Sequence, residues 1–166
     1  TDPESTLLIT TPFYTNQLEM ITQITKSLPV GYQLYVKDHP LQQLRSWREI
    51  SYYKKILELP NVKLIHPTVR SDEIIKKSSL IISAASTAGM EAAFYNKPSI
   101  VFSDVLYDSL SSVYKIKNLS ELPTTIQKAL NTKVDVSELN KLVDFIHNNS
   151  FEFNWSKFSM DISEQF

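Results

Sequence analysis

Short apolar runs alternate along this chain with stretches whose apolar residues recur every three or four positions, and that alternation constrains the fold most. Leu7 to Thr10, Tyr32 to Lys37, Val62 to Ile65, Leu80 to Ser83 and Ile100 to Phe102 are too short for helices and read as strands. Between them, Asn16 to Ser27 sets Leu18, Ile21 and Ile24 at helical spacing and stops at Pro29-Val30-Gly31. A helix from about Trp47 to Leu59 carries Trp47, Ile50, Ile56 and Leu57. Ser71 to Lys77 is a short helix with Ser71 as its N-cap, and Thr87 to Tyr95 is the next. Strands that alternate with helices in this way form a parallel sheet covered on both faces. The predicted class is therefore α/β: a doubly wound, mainly parallel, Rossmann-like sheet with a helical C-terminal tail.

With 166 residues and 42% hydrophobic content, the chain suits one core. We expect a nucleotide-binding unit over 1–132 and a C-terminal helix with an aromatic tail over 133–166. Leu119 to Leu130 and Ser137 to His147 read as helices, and Phe151 to Phe166 contains Phe151, Phe153, Trp155 and Phe158. Two placements of that tail are open: on this same domain, or across to another domain or a second copy in a homodimer. The opening Thr1-Asp2-Pro3-Glu4-Ser5-Thr6 leads straight into a strand, as expected of a segment from a longer protein.

A formal charge of -1 supplies no basic field, so nucleic acid is not an expected partner. The absence of cysteine fits a reducing cytoplasm, and no apolar run approaches the roughly 20 residues that span a bilayer. His39, His66 and His147 lack ligand spacing, and Asp104 and Asp108 form no metal-binding pair, so no metal or other cofactor is expected. Gly31 and Gly89 are the only glycines, which leaves no P-loop and no G-x-G-x-x-G.

In doubly wound sheets, ligands bind beyond the carboxyl ends of the strands. Four loops would leave there: Thr10-Thr11-Pro12, Lys37-Asp38-His39-Pro40, His66-Pro67-Thr68 and Ser83-Ala84-Ala85-Ser86-Thr87-Ala88-Gly89. The last opens onto a helix, where unpaired N–H groups and the positive helix end suit phosphate. Ser83, Ser86 and Thr87 add hydroxyl donors, while Ala88 and Gly89 let a ligand approach the backbone. The plainer reading is an ordinary Ser or Thr helix cap. Glu91 lies one turn beyond Thr87 on the same face, placed to accept from ribose hydroxyls. Met90, Ala93 and Phe94 point elsewhere, toward a core. His39, held extended by Pro40, can donate to a phosphate oxygen or protonate a leaving group, since imidazole exchanges a proton near neutral pH. It can equally satisfy a loop carbonyl. Lys37 adds positive charge. His66 reads as part of a surface turn, whereas Pro67 and Thr68 could meet a base through their backbone.

The Lys-x-His-Pro motif at 37–40, followed by Ser83-Ala84-Ala85-Ser86-Thr87-Ala88-Gly89-Met90-Glu91-Ala92 and Asn96-Lys97-Pro98, resembles the C-terminal domain of GT-B glycosyltransferases. The likeness covers about Leu7 to Phe102. It is greatest to capsule and surface-polysaccharide enzymes and to sialyl- and Kdo-transferases that use CMP-activated sugars. The resemblance implies that His39 and Pro40, with Ser86 and Thr87, hold the nucleotide part of a donor, with Glu91 against the ribose and His39 assisting departure of the phosphate. It further implies a carbohydrate acceptor bound by an N-terminal domain outside this sequence, so that this segment alone would be inactive. The full-length protein would be cytoplasmic, associated with the inner face of the membrane. CDP-glycerol glycerophosphotransferases and UDP-sugar 2-epimerases resemble parts of the same pattern, and a non-catalytic domain of this fold is a further reading. Lys97-Pro98 departs from the Gly-x-Pro commoner in the superfamily.

Overall fold

The computed structural model describes residues 14–39 and 48–153. The expected first strand, Leu7 to Thr10, lies outside them, as do Trp47 and the tail beyond Phe153. Helix α1 (Gln17–Ser27) starts where the Asn16 side chain accepts from the Glu19 N–H, with Glu19 in its first turn and Lys26 in its last. Gly31, at φ +90°, turns the chain, and the Tyr32 N–H returns to the Pro29 carbonyl. That turn bond explains why β1 is Leu34–Lys37 rather than beginning at Tyr32. Helix α2 (Ile50–Leu57) ends in a tighter turn, where the Leu59 N–H reaches the Ile56 carbonyl ahead of Pro60. Strand β2 (Val62–Ile65) runs parallel to β1, with Leu34 opposite Val62.

Helix α3 (Ser71–Lys77) has the expected bounds, but Ser71 is its first helical residue and not its cap. Arg70 occupies the cap without a capping bond, and its guanidinium instead binds the Asp72 carboxylate through Nε and Nη2. Asp72 also accepts from Lys76, and both cations hold its carboxyl below the usual carboxylate range. Strand β3 (Ile81–Ser83), helix α4 (Ala88–Phe94) and strand β4 (Ser99–Val101) follow. The expected β4 was one residue later. Phe102 leaves the ladder because its N–H bonds the Ala84 carbonyl of the preceding loop. Strand β5 (Val113–Lys115) was not foreseen; a run of three residues carries little periodic signal. The chain continues through a short 3₁₀ turn (Leu119–Glu121) into α5 (Leu122–Leu130), and then α6 (Val136–Asn148), capped by Asp135.

All described strand pairings are parallel: β1 with β2, and β3–β4–β5 in a second ladder. Strand β4 has both faces buried, as the middle of a doubly wound sheet requires. On one face, Ile100 and Phe102 pack with Met20 and Ile24 of α1 and with Leu122, Ile126 and Ala129 of α5. On the other, Val101 packs with Ala93 of α4, Tyr107, Leu110, and Leu139 and Leu142 of α6. Helix α6 is further tied by the Val134 N–H to Asn96 Oδ1 and by Glu138, which accepts from the Ser111 N–H. The first of these contacts uses Asn96, which sits in the left-handed region at φ +55°.

One core expectation fails. Ala93 is buried and Met90 packs against the second cluster, but Phe94 is 55% exposed at the end of α4, turned away from β4. Phe151 and Phe153 are also exposed, with their rings 6.2 Å apart edge to face. Among the described residues, no helix is long and apolar enough to cross a membrane.

We expect Ile100→Ala to destabilise the chain by about 2–5 kcal/mol, through lost burial and an unfilled cavity. Phe94→Ala should stay within about 0.5 kcal/mol, as exposed substitutions do. Urea denaturation of both variants checks this contrast; equal losses would mean that Phe94 belongs to the core.

Candidate functional site

Parallel pairing places the loops after β1 and β2 on one edge of their ladder, and those after β3, β4 and β5 on one edge of the other. The loop after β1 is held by charge. The Asp38 carboxylate accepts from the Tyr53 hydroxyl of α2 at 2.8 Å and lies 3.8 Å from Arg48 Nε. The Arg48 side chain is only 6% exposed; it donates to Gln17 Oε1 of α1 and lies 4.5 Å over the Tyr52 ring. A buried guanidinium needs such partners, because desolvating it without them would be costly. Asp38, Arg48 and Tyr53 thus fasten the start of the His39 loop to two helices. Beyond that anchor, Lys37 is half-buried and His39 exposed. None of the three anchor residues was singled out from sequence, because their hydrogen bonds and ion pair span 10 to 31 positions.

After β2, Thr68 meets His66 Nδ1 through its hydroxyl at 2.7 Å and its N–H at 3.4 Å, and the Val69 N–H bonds the His66 carbonyl. His66 therefore closes a surface turn, with Pro67 half-buried and Thr68 exposed beside it. Of the remaining predicted residues, Thr10, Thr11 and Pro40 lie outside the described chain.

The loop after β3 brings its predicted residues together. Ser86 and Thr87 are exposed at its tip. The Thr87 hydroxyl donates to Glu91 Oε1 at 2.9 Å, which fixes the carboxylate one turn into α4 on the same face. The Ala88 N–H reaches Ser86 Oγ at 3.3 Å, a long bond, while Glu91 N–H closes the first helical bond to the Thr87 carbonyl. The loop base is held by Ala84, whose carbonyl accepts from both the Phe102 N–H and the Ser103 hydroxyl. Ser83 Oγ and Ser99 Oγ are buried with no hydrogen-bond partner among the described residues.

Gly89 is buried, and the reason for glycine there is Tyr107, a residue that sequence reasoning passed over. A Cβ added at Gly89 would lie 2.6 Å from the Tyr107 oxygen, 2.8 Å from its Cε2 and 3.0 Å from Ser99 Oγ. The space foreseen for an approaching ligand is filled on that side by a phenol. Tyr107 in turn donates to the Ser86 carbonyl at 2.5 Å. Burial raises its pKa, while the neighbouring Ser83 hydroxyl and Gly89 N–H act in the opposite direction. Ser83 Oγ stands near this phenol without hydrogen-bond geometry. Among the described residues, no group of three or more His, Asp or Glu side chains is placed to hold a metal ion.

Fold and loops together define a doubly wound α/β domain with an anchored, hydroxyl-rich loop at the carboxyl end of its second ladder. Residues 12–112 match the family described as "Capsule polysaccharide biosynthesis protein", which is more than half of the chain, and the protein belongs to that family. The match contains the β1, β2 and β3 loops and Tyr107. Among solved structures, the chain is similar to the glycotransferase of kitacinnamycin, with 11% identity and a TM-score of 0.46 over 77% of this chain. It spans 34% of that chain, about a third of its length. No curated protein sequence matches.

Two expectations follow from this geometry. Gly89→Ala should cost about 1–3 kcal/mol by overpacking, and much less in a Tyr107→Ala background. Denaturation of the two singles and the double reads that coupling, and simple additivity would dissociate Gly89 from Tyr107. The second concerns Tyr53, whose pKa is pushed up to about 12 by burial first and then by Asp38. The folded state retains this proton longer than the unfolded chain, so the contribution is complete below about pH 10 and is lost toward about pH 12. Alkaline difference spectra should show a late phenol transition that vanishes in Tyr53→Phe and moves down in Asp38→Asn. An unmoved transition in Asp38→Asn would exclude the carboxylate as a cause.

Proposed function

We propose that this chain is the donor-binding domain of a metal-independent glycosyltransferase of capsular or surface polysaccharide synthesis, taking a CMP- or other nucleotide-activated sugar. Membership of the capsule polysaccharide biosynthesis family supports the setting. The observation that carries the site is the Thr87–Glu91 hydrogen bond beneath an exposed Ser86-Thr87 tip. It presents the Ser86 hydroxyl and a fixed carboxylate side by side, matching a phosphate next to a ribose. In this reading Glu91 accepts from the ribose hydroxyls. Ser86, Thr87 and Ala88 face the phosphates, while Gly89, whose N–H lies against the Tyr107 phenol, and Ser83 support the loop from behind.

The bond from sugar to phosphate breaks with negative charge growing on the departing nucleotide. Donors already aimed at that charge lower the barrier without reorganisation. His39 donates to a phosphate oxygen and Lys37 adds charge, from a loop whose start is clamped through Asp38 to Arg48 and Tyr53. Pro67 and Thr68 serve the base side. The acceptor sugar and its general base come from another domain, so this chain binds a donor without turning it over.

Calorimetry against CMP, CDP and UDP tests the reading: at least one binds in the micromolar-to-millimolar range. No heat from any of the three at millimolar concentration, with the protein folded, would remove the donor site. His39→Ala should weaken nucleotide binding roughly tenfold, as loss of a charge-assisted hydrogen bond does, and leave thermal stability unchanged. Unaltered affinity would return His39 to a role in the loop alone.

A further inference from the structure

We propose that Tyr107 is a positioning residue of the site: by fixing the Ser86 carbonyl, it aims the Thr87 N–H at the donor phosphate. This rests on the donor-site reading above and adds a residue from a different part of the fold. Tyr107 belongs to the connection between β4 and β5, 21 positions from Ser86, and it is 4% exposed. Its ring occupies the space that Gly89 leaves open, so the phenol cannot swing toward α4. Its hydroxyl donates inward-held to the Ser86 carbonyl at 2.5 Å.

The consequence follows from peptide geometry. In a planar trans peptide the carbonyl and the next N–H point in opposite directions. With the Ser86 carbonyl drawn to the buried phenol, the Thr87 N–H is directed the other way, to the side where Ser86 and Thr87 are exposed. The loop base is fixed separately, at the Ala84 carbonyl, by Phe102 and Ser103. Two pins from the segment after β4 therefore set the path of the loop, one at its base and one at its tip. Burial keeps the Tyr107 phenol protonated above the usual range, with the Glu91 charge acting in the same direction, so the donor persists at neutral pH. Ser99, 1% exposed, and Ser83 offer buried hydroxyls beside it without bonding one another. The phenol is thus the group that joins this polar interior to the exposed tip.

Tyr107→Phe keeps the ring against Gly89 and removes only the donor. NMR titrations of the 166-residue chain with CDP and UDP, and with cytidine and uridine, separate phosphate-dependent from base-dependent affinity. In the variant we expect the nucleotide that binds best to weaken about fivefold, the size of one lost hydrogen bond, with its nucleoside within about twofold. The Thr87 amide resonance should lose its nucleotide-induced shift while the β4 amide resonances stay in place. If the wild type binds nucleotide and Tyr107→Phe binds it equally well, the proposal falls and the donor site stands. Equal weakening of nucleotide and nucleoside also overturns it, since that marks a general structural loss. If the wild type binds no nucleotide, the donor-site reading fails first and this proposal with it.

Discussion

Strand β4 must bury both of its faces, and most of the described structure follows from that requirement. Ile100 and Phe102 face one way and Val101 the other, so a three-residue alternation demands helices on two sides. Helices α1 and α5 supply one cover, and α4 and α6 the other. Pro98 and Ser99 are buried as well, which leaves no solvent side on which the strand could be an edge. The parallel direction of β3, β4 and β5 then gathers their outgoing loops at one end. A binding region is a geometric by-product of this packing before any ligand is considered.

The loops after β1 and β3 are each held by polar groups at their inner side. Asp38 is consumed by Arg48 and Tyr53, the Ala84 carbonyl by Phe102 and Ser103, and the Ser86 carbonyl by Tyr107. His39, Ser86 and Thr87 remain exposed in front of these anchors. A short loop can hold its outer groups ready only if its inner groups are bonded, because an unpaired buried carbonyl or carboxylate costs about 1–3 kcal/mol or more. The division of labour therefore has a physical cause. The residues that look most like ligands in a motif are not the ones that give the loop its shape.

Sequence patterning revealed the periodic elements well. Val62–Ile65 and Ser71–Lys77 appear with the bounds their residues suggest, and the helices of α1 and α4 differ by a residue at their ends. Strand β5 stayed hidden because its evidence is its pairing with β4, not its own three side chains. The Ser71 cap was misjudged because Arg70 finds its partner in a side chain, Asp72, and not in the helix backbone. Within the loop after β3, the pairing of Thr87 with Glu91 was legible from a spacing of four. Tyr107 was not, since nothing at position 107 announces a contact 21 residues back. Phe94 shows the converse failure: a large apolar residue at a plausible position that the helix end turns outward.

Gly89 belongs to both the packed interior and the loop. A glycine in a hydroxyl-rich loop invites the thought that a ligand approaches its backbone, and the motif alone gives no means to choose otherwise. The structure fills that space with the Tyr107 ring, so the glycine is required by the protein's own interior. Yet the same ring bonds the Ser86 carbonyl, and so the missing Cβ at 89 acts on the exposed tip through a third residue. A larger residue at 89 would displace the phenol, release the carbonyl and let the Thr87 peptide rotate. The glycine then belongs to the site without touching anything bound there. Its role is carried by packing, and packing is the layer of information that a motif omits.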